Sequence, residues 1–420
     1  MSLFVQVMRR ACVAGVLMMG VSAPAVADEP KAAAPTVKPE IGKPIQAAQE
    51  LIKAKKGKDA LAKAREADAI SGKSPYETYV VELTKGQAAA IAGEPATAAA
   101  AFEAAAASAP SGKAQLLGGA AGQYYVAKNY AKAAEAAERY KAEGGNEPGI
   151  HQIYVQSLYL GGNHAQAAKA LRADVQANEM IGQEAPESSL QMLADIANRQ
   201  KDNAGYTSAL EKLVASYPKR DYWRALVYAV ATKQGMSDRL ALDVLRIKRA
   251  TDTITTAEEY VEAAQLALQA GFPAEANKFL YAGYDAKLLG SGSEAARHQR
   301  LKDSVAKALT ADEKTLGQDD AKATATGGDP LLNTGFNYVL RGQGEKGVVM
   351  MEASTKKGTL KRPDEAELHL GIAQVMAGQK TRGIETLKGI NAKDGSAEIA
   401  RLWILIAKTY RTKGTEVSSS

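Results

Sequence analysis

Between about residue 44 and residue 411, apolar positions recur at intervals of three and four. That spacing collects them on one face of an α-helix. Tyr154 and Leu158, followed across a turn by Ala167, Ala168 and Leu171, show the pattern. No segment alternates in the manner of a half-buried strand, so an all-α chain is expected. The alanine runs Ala98 to Ala101 and Ala104 to Ala107 raise helix propensity further. The helices are interrupted regularly. Short turns fall at Gly57, Gly93, Lys128, Gly162, Lys201, Gln234, Gly271, Gly342 and Gly378, with spacings of 36, 35, 34, 39, 33, 37, 71 and 36 residues. The gap of 71 spans two periods, so a divergent pair is expected around Ala295 to Thr326, giving about ten helix pairs in all.

The pairs share internal positions. Five residues after the turn stands a small side chain, as in Ala98, Ala133, Ala167, Ala276 and Gly383, where two helices must come close. Nine after it stands a bulkier one: Phe102, Leu171, Leu210, Leu280, Met351 and Leu387. Seven before it, Gly86, Gly335 and Gly371 recur, and Tyr124 and Tyr338 follow the same frame. Pro110 and Pro218 close second helices, while Tyr206 departs from the small-residue rule. This pattern resembles the tetratricopeptide repeat, a helix-turn-helix of ~34 residues. The resemblance implies a right-handed α-α superhelix whose first helices line the concave side.

A narrower resemblance rests on Ala209 to Trp223, on the pair from Tyr260 to Leu289 with its Gly271-Phe-Pro-Ala-Glu-Ala276, and on Asp364 to Gly371. These stretches are similar to periplasmic tetratricopeptide proteins that accompany TonB systems. The similarity implies an accessory role near a complex of the ExbB, ExbD and TonB type.

The N-terminus reads as an export signal. Arg9 and Arg10 precede the apolar segment Ala11 to Val21, and Ala25-Val26-Ala27 supplies the small residues of a cleavage site. The apolar segment is well short of the ~20 residues that span a bilayer. A signal peptide over 1–27, cleavage before Asp28 and a periplasmic location are therefore expected. Cys12, the only cysteine, lies in that segment. Its removal would leave no thiol for a disulfide, a zinc site or a nucleophile. Residues 28–43, rich in Ala, Pro, Lys and Glu, read as a flexible linker. An N-terminal array over 44–290, a divergent hinge over 291–328, C-terminal repeats with a capping helix over 329–412 and a tail over 413–420 follow. The glycine-rich stretches at 289–293 and 326–329 bracket the hinge. The apolar run Leu402 to Ile406 needs a cap or a partner at the array's end.

Charge changes the picture only by exclusion. Fifty-three basic and 47 acidic residues are interspersed, which gives no nucleic-acid footprint. Lys53, Lys55, Lys56, Lys58, Lys63 and Arg65 form one basic stretch that could make peripheral contact with an anionic membrane or acidic partner. His151, His164, His298 and His369 have no metal-ligand spacing. Gly342-Gln-Gly344-Glu-Lys-Gly347 spells GxGxxG without a preceding strand, so the repeat turn accounts for it. No catalytic, cofactor or metal site is expected, and the chain reads as a scaffold, not an enzyme.

With the first-helix glycines as the register, the inward positions are Gln115, Tyr125, Gln152, Gln156, Tyr159, Gln191, Asp195, Asn198, Arg224, Tyr228 and Gln265. Carboxamides both donate to and accept from a peptide backbone, and tyrosines add contact area at low entropic cost. A protein or peptide segment is the expected ligand. A glycan or peptidoglycan strand bound through the same amides and tyrosines, in cell-envelope biogenesis, is the alternative.

Overall fold

The computed structural model describes residues 36–357 and 360–409, the side chains of residues 316, 318–321 and 325 excepted. The segment expected to be an export signal, Cys12 and the tail expected over 413–420 lie outside the described residues. Twenty α-helices and one 3-10 turn follow one another, with no strand among the described residues. The chain divides into two compact units, residues 1–180 and 181–420.

The first unit holds four helix-turn-helix pairs: α1 (Pro39–Lys53) with α2 (Gly57–Asp68), α3 (Pro75–Ala92) with α4 (Pro95–Ser108), α5 (Lys113–Val126) with α6 (Tyr130–Ala142), and α7 (Pro148–Leu160) with α8 (His164–Met180). The second opens with three pairs: α9 (Glu187–Arg199) with α10 (Asn203–Ser216), α11 (Arg220–Ala231) with α12 (Ala241–Ala250), and α13 (Ala257–Gln269) with α14 (Pro273–Asp285). A single helix α15 (Ala295–Thr326) follows, then α16 (Gly328–Leu340) with α17 (Gly344–Lys356) and α18 (Pro363–Met376) with α19 (Lys380–Lys388), and finally α20 (Ser396–Thr409).

The pairs are tetratricopeptide-like because eight of their nine turns close in one way. The turn residue is left-handed at Lys55, Gly93, Lys128, Gly162, Lys201, Gly271, Gly342 and Gly378, with φ between 56° and 87°. In each, the next N–H donates to the carbonyl five residues before the turn residue's successor, as in Asn129 to Tyr124 at 2.9 Å and Gln343 to Tyr338 at 2.9 Å. This is the 6→1 bond of a Schellman motif, and glycine adopts it without the Cβ penalty. Two turn positions shift from the sequence expectation. Lys55, not Gly57, is the left-handed residue of the first turn, and Gly235 takes that role beside Gln234. Gly57 instead opens α2 against the backbone of Ile91 and Ala92, where a side chain has no room.

The shared positions pack as the pattern requires. Ala98, Ala133, Ala167 and Ala276 are fully buried, as are, nearly, Leu171, Leu210, Leu280, Met351 and Leu387. A Cβ on Gly86 would stand 2.6 Å from Phe102, one on Gly335 2.7 Å from Met351, and one on Gly371 2.7 Å from Leu387. The glycine before the turn is thus the socket for the bulky residue nine after it. Gly371→Val is expected to cost about 1–3 kcal/mol by overpacking. Urea unfolding measures it, and an unchanged midpoint would contradict the socket.

Several expected boundaries move. The first described helix opens at Pro39, inside the expected linker, where Ile41 and Ile45 bury against Ala67 and Val81 and the Lys38 N–H donates to Glu77 at 2.8 Å. The expected divergent pair is one 32-residue helix. Its segment has no proline and only Gly317 inside it, so nothing stops the helix midway. The described residues therefore hold nine pairs and two unpaired helices, not about ten pairs.

The two compact units meet at residue 180. The second unit closes on itself, because α20 returns to pack on α10, α11 and α12. Ile399, Leu402, Trp403 and Ile406 are buried, so this apolar run is covered within the unit. Arg401 meets Glu211 at 3.2 Å, Arg239 meets Asp394 at 3.2 Å, and Lys233 pairs with Glu398. The Ser237 N–H adds a bond to the Asp394 carbonyl at 2.8 Å.

Candidate functional site

The eleven residues expected to line one groove fall into two sets. Gln115, Tyr125, Gln152, Gln156 and Tyr159 belong to the first unit, and the other six to the second. On α7, Gln152, Gln156 and Tyr159 are spaced i, i+4 and i+7 and so share one helical face. First helices α5 and α7 touch each other, and the Tyr125 hydroxyl donates to Gln156 Oε1 at 2.9 Å. Burial, and then Tyr130, push the Tyr125 hydroxyl pKa up, so it stays a neutral donor. Gln152 is exposed, while Gln156 and Tyr159 are half-buried. Gln115 is exposed in the first turn of α5, nearly three turns from Tyr125, and lines a separate cavity with Glu143 and Glu147. The first unit therefore gathers four of its five candidates into one patch of amides and tyrosines.

In the second unit the corresponding groups are largely engaged by neighbours. Gln191, Asp195 and Asn198 share a face of α9. Gln191 Nε2 donates to the Tyr222 hydroxyl at 2.5 Å, and Tyr222 in turn bonds Glu187, which Lys219 pairs at 2.6 Å. Asp195 pairs with Arg199 at 2.5 Å, and Arg224 with Asp221 at 3.0 Å. Tyr228 is 69% exposed on α11. Gln265 lines a cleft of about 200 Å³ with Glu258, Glu262 and the buried His298. In this unit α20 packs back on α10, α11 and α12. Its interior holds second helices α12 and α14 with first helices α16 and α18, and Arg224, Tyr228 and Gln265 lie at its surface.

That interior contains what periodicity alone did not reveal. Arg246 is 5% exposed and grips Glu275 with two bonds, at 2.8 and 2.7 Å, and Asp243 with a third at 2.8 Å. His369, from α18, meets the other oxygen of Asp243 at 3.2 Å and stacks on Phe336 at 5.6 Å. The Arg246 guanidinium lies 4.7 Å from the Phe336 ring and 5.5 Å from Phe272. Two carboxylates, a bidentate guanidinium and two aromatic faces thus fix α12 against α14, α16 and α18. A visible clue was the charged Asp243 and Arg246 within the buried run Leu242 to Ile247.

Burial pushes the Asp243 carboxyl up, but His369 and Arg246 outweigh it and hold the carboxyl at about 2. Its folded value therefore lies below that of a free aspartate. The resulting stabilisation is complete above about pH 4 and is lost as the pH falls through 2, on the order of 2 kcal/mol. Urea unfolding of the wild type and of Asp243→Asn across pH 5 to 2 should show a component of acid destabilisation that the variant lacks. Parallel curves would contradict this.

The other candidate chemistry resolves into local structure. Gly342 is the left-handed turn residue, Gly344 opens α17 beside Ala377, and Gly347 abuts the Gly335 carbonyl, so helix packing accounts for the three glycines. His151 pairs with Asp174 at 2.9 Å, and His298 Nδ1 accepts from the Gly290 N–H at 3.2 Å. Among the described residues no group of three or more His, Cys, Asp or Glu is placed to hold a metal ion. No helix among them is long and apolar enough to cross a membrane. Lys53, Lys55, Lys56 and Lys58 are exposed around the first turn, while Lys63 and Arg65 pair with Glu66 and Glu94.

No known family's sequence profile matches the chain, and no curated protein matches it. Solved structures similar to it include a chain of Naa15/Naa10 bound to HypK-THB, at 15% identity and TM-score 0.30, covering 83% of this chain. This chain spans 62% of that one's length. Yeast Tom70 is similar at 11% identity and TM-score 0.25, over 88% of this chain and 95% of its own. The assignment of tetratricopeptide-like helix pairs rests on the turn closure and glycine sockets of the chain itself.

Proposed function

We propose that the protein is a non-enzymatic scaffold of the periplasm that holds an extended protein segment on the first-helix face of its first unit. The observation that carries this reading is the patch of Gln152, Gln156 and Tyr159 on one face of α7, joined to Tyr125 of α5. Amides offer a passing backbone both donor and acceptor, and the tyrosines offer rigid contact area. The second unit contributes the exposed Tyr228 and its neighbour Arg224 as a separate contact surface.

Arg9, Arg10 and the short apolar segment before Ala27 support export. The similarity of Ala209 to Trp223 and of Asp364 to Gly371 to TonB-associated periplasmic proteins supports TonB, ExbB or ExbD as the partner complex. Binding of the purified chain to the periplasmic parts of TonB and ExbD tests the reading. The triple variant Gln152→Ala, Gln156→Ala, Tyr159→Ala should weaken capture at least tenfold with helicity unchanged. Equal capture by the variant, or retention on purified peptidoglycan in place of these proteins, would contradict it.

A further inference from the structure

A second surface of the first unit lies on the seam between α6 and α7, about half a turn around α7 from the amide face. Two cavities of about 330 and 310 Å³ share Glu138 and Tyr154 in their walls and so adjoin one another along this seam. They extend from Asn146 and Glu147, before α7, to Gly161 and Asn163, beyond its end. A helix of that length rises roughly 20 Å, which an extended chain of about six residues matches.

The lining is acidic and aromatic although the chain as a whole carries a net charge of +6. Glu135, Glu138 and Glu147 are exposed along it and enter no ion pair among the described residues. Lys141 is the one ammonium that lines it, and the imidazole of His151 is held by Asp174 at 2.9 Å. Around Tyr154 the only charged groups lining the second cavity are Glu135 and Glu138. Burial, then the charge of Glu138, push the Tyr154 hydroxyl pKa up and keep it a neutral donor. Ser157, 1% exposed, contributes to the wall of the same cavity, and its buried hydroxyl has no hydrogen-bond partner among the described residues.

From these features we infer that the α6–α7 seam is a docking channel for an extended protein segment bearing lysine or arginine. The carboxylates of Glu135 and Glu138 receive the cationic side chains, and the faces of Tyr130 and Tyr154 stack on them. This channel is separate from the amide face of α7, so the chain can hold a basic segment and the first ligand by different residues.

The test uses the full chain and two labelled octapeptides, alternating Lys-Ala and alternating Glu-Ala, read by fluorescence anisotropy. The lysine peptide should bind, more weakly as salt rises, and the glutamate peptide should not. The double variant Glu135→Gln, Glu138→Gln should weaken the lysine peptide by roughly tenfold. Gln152→Ala with Gln156→Ala should leave it unchanged. No binding of the lysine peptide, equal binding of both peptides, an unaltered affinity in the glutamate variant, or an equal loss in the glutamine variant would each overturn the inference. Since the glutamine pair serves the amide face alone, failure of that face and failure of this channel give different outcomes.

Discussion

Arg246→Ala is expected to destabilise the second unit by roughly 3–5 kcal/mol, because it strands Asp243 and Glu275 as uncompensated buried charges. Both carboxylates are about as buried as the guanidinium that joins them, at 2% and 1% exposure. The cost should come from the stranded charges more than from the lost bonds. An apolar replacement of all three, Asp243→Leu, Arg246→Met and Glu275→Leu, should therefore be far less destabilising than the single change. Urea unfolding of the full chain, followed by hydrogen exchange resolved along the sequence, measures both. The single variant should accelerate exchange in α12, α14, α16 and α18 and leave α1 to α8 as they are. A loss below about 1 kcal/mol, the value typical of an exposed ion pair, would contradict the buried network.

Trp403→Ala should be comparable in size, about 3–5 kcal/mol for a large buried aromatic. Trp403 is 4% exposed on α20, between Leu402 at 1% and Ile406 at 6%. Its loss should loosen the return of α20 onto α10, α11 and α12, and with it the Arg401–Glu211 and Lys233–Glu398 pairs. Faster exchange should then appear in α20 and also in α10 to α12, nearly two hundred residues earlier. A change confined to α18, α19 and α20 would show that the unit does not close through this helix.

The two variants probe what local pattern does not encode. Helix pairs, small residues at Ala98 or Ala276 and the sockets of Gly86 and Gly371 are properties of a window one repeat long, and were legible for that reason. The pairing of Asp243 with His369 spans 126 residues and that of Arg401 with Glu211 spans 190. Nothing in a repeat period specifies such partners, so the closure of the second unit was not legible, and neither was the consequent placing of Arg224 and Tyr228 on its surface. The single helix α15 stands where a pair is expected because a doubled interval fits two short helices and one long helix equally well. Only the lack of a breaker around Gly317 separates them. At the candidate site, the spacing of Gln152, Gln156 and Tyr159 on one face followed directly from helical geometry, whereas the Tyr125–Gln156 bond needed the packing of α5 on α7.

Site-specific photocrosslinking in intact cells tests the central claim most directly. A photoreactive residue at Tyr159, on the amide face, is compared with one at Lys169, exposed on second helix α8. The account predicts covalent adducts with TonB, ExbB or ExbD from position 159 and none from 169. The same adducts from both positions, or none of these proteins from position 159, would contradict it.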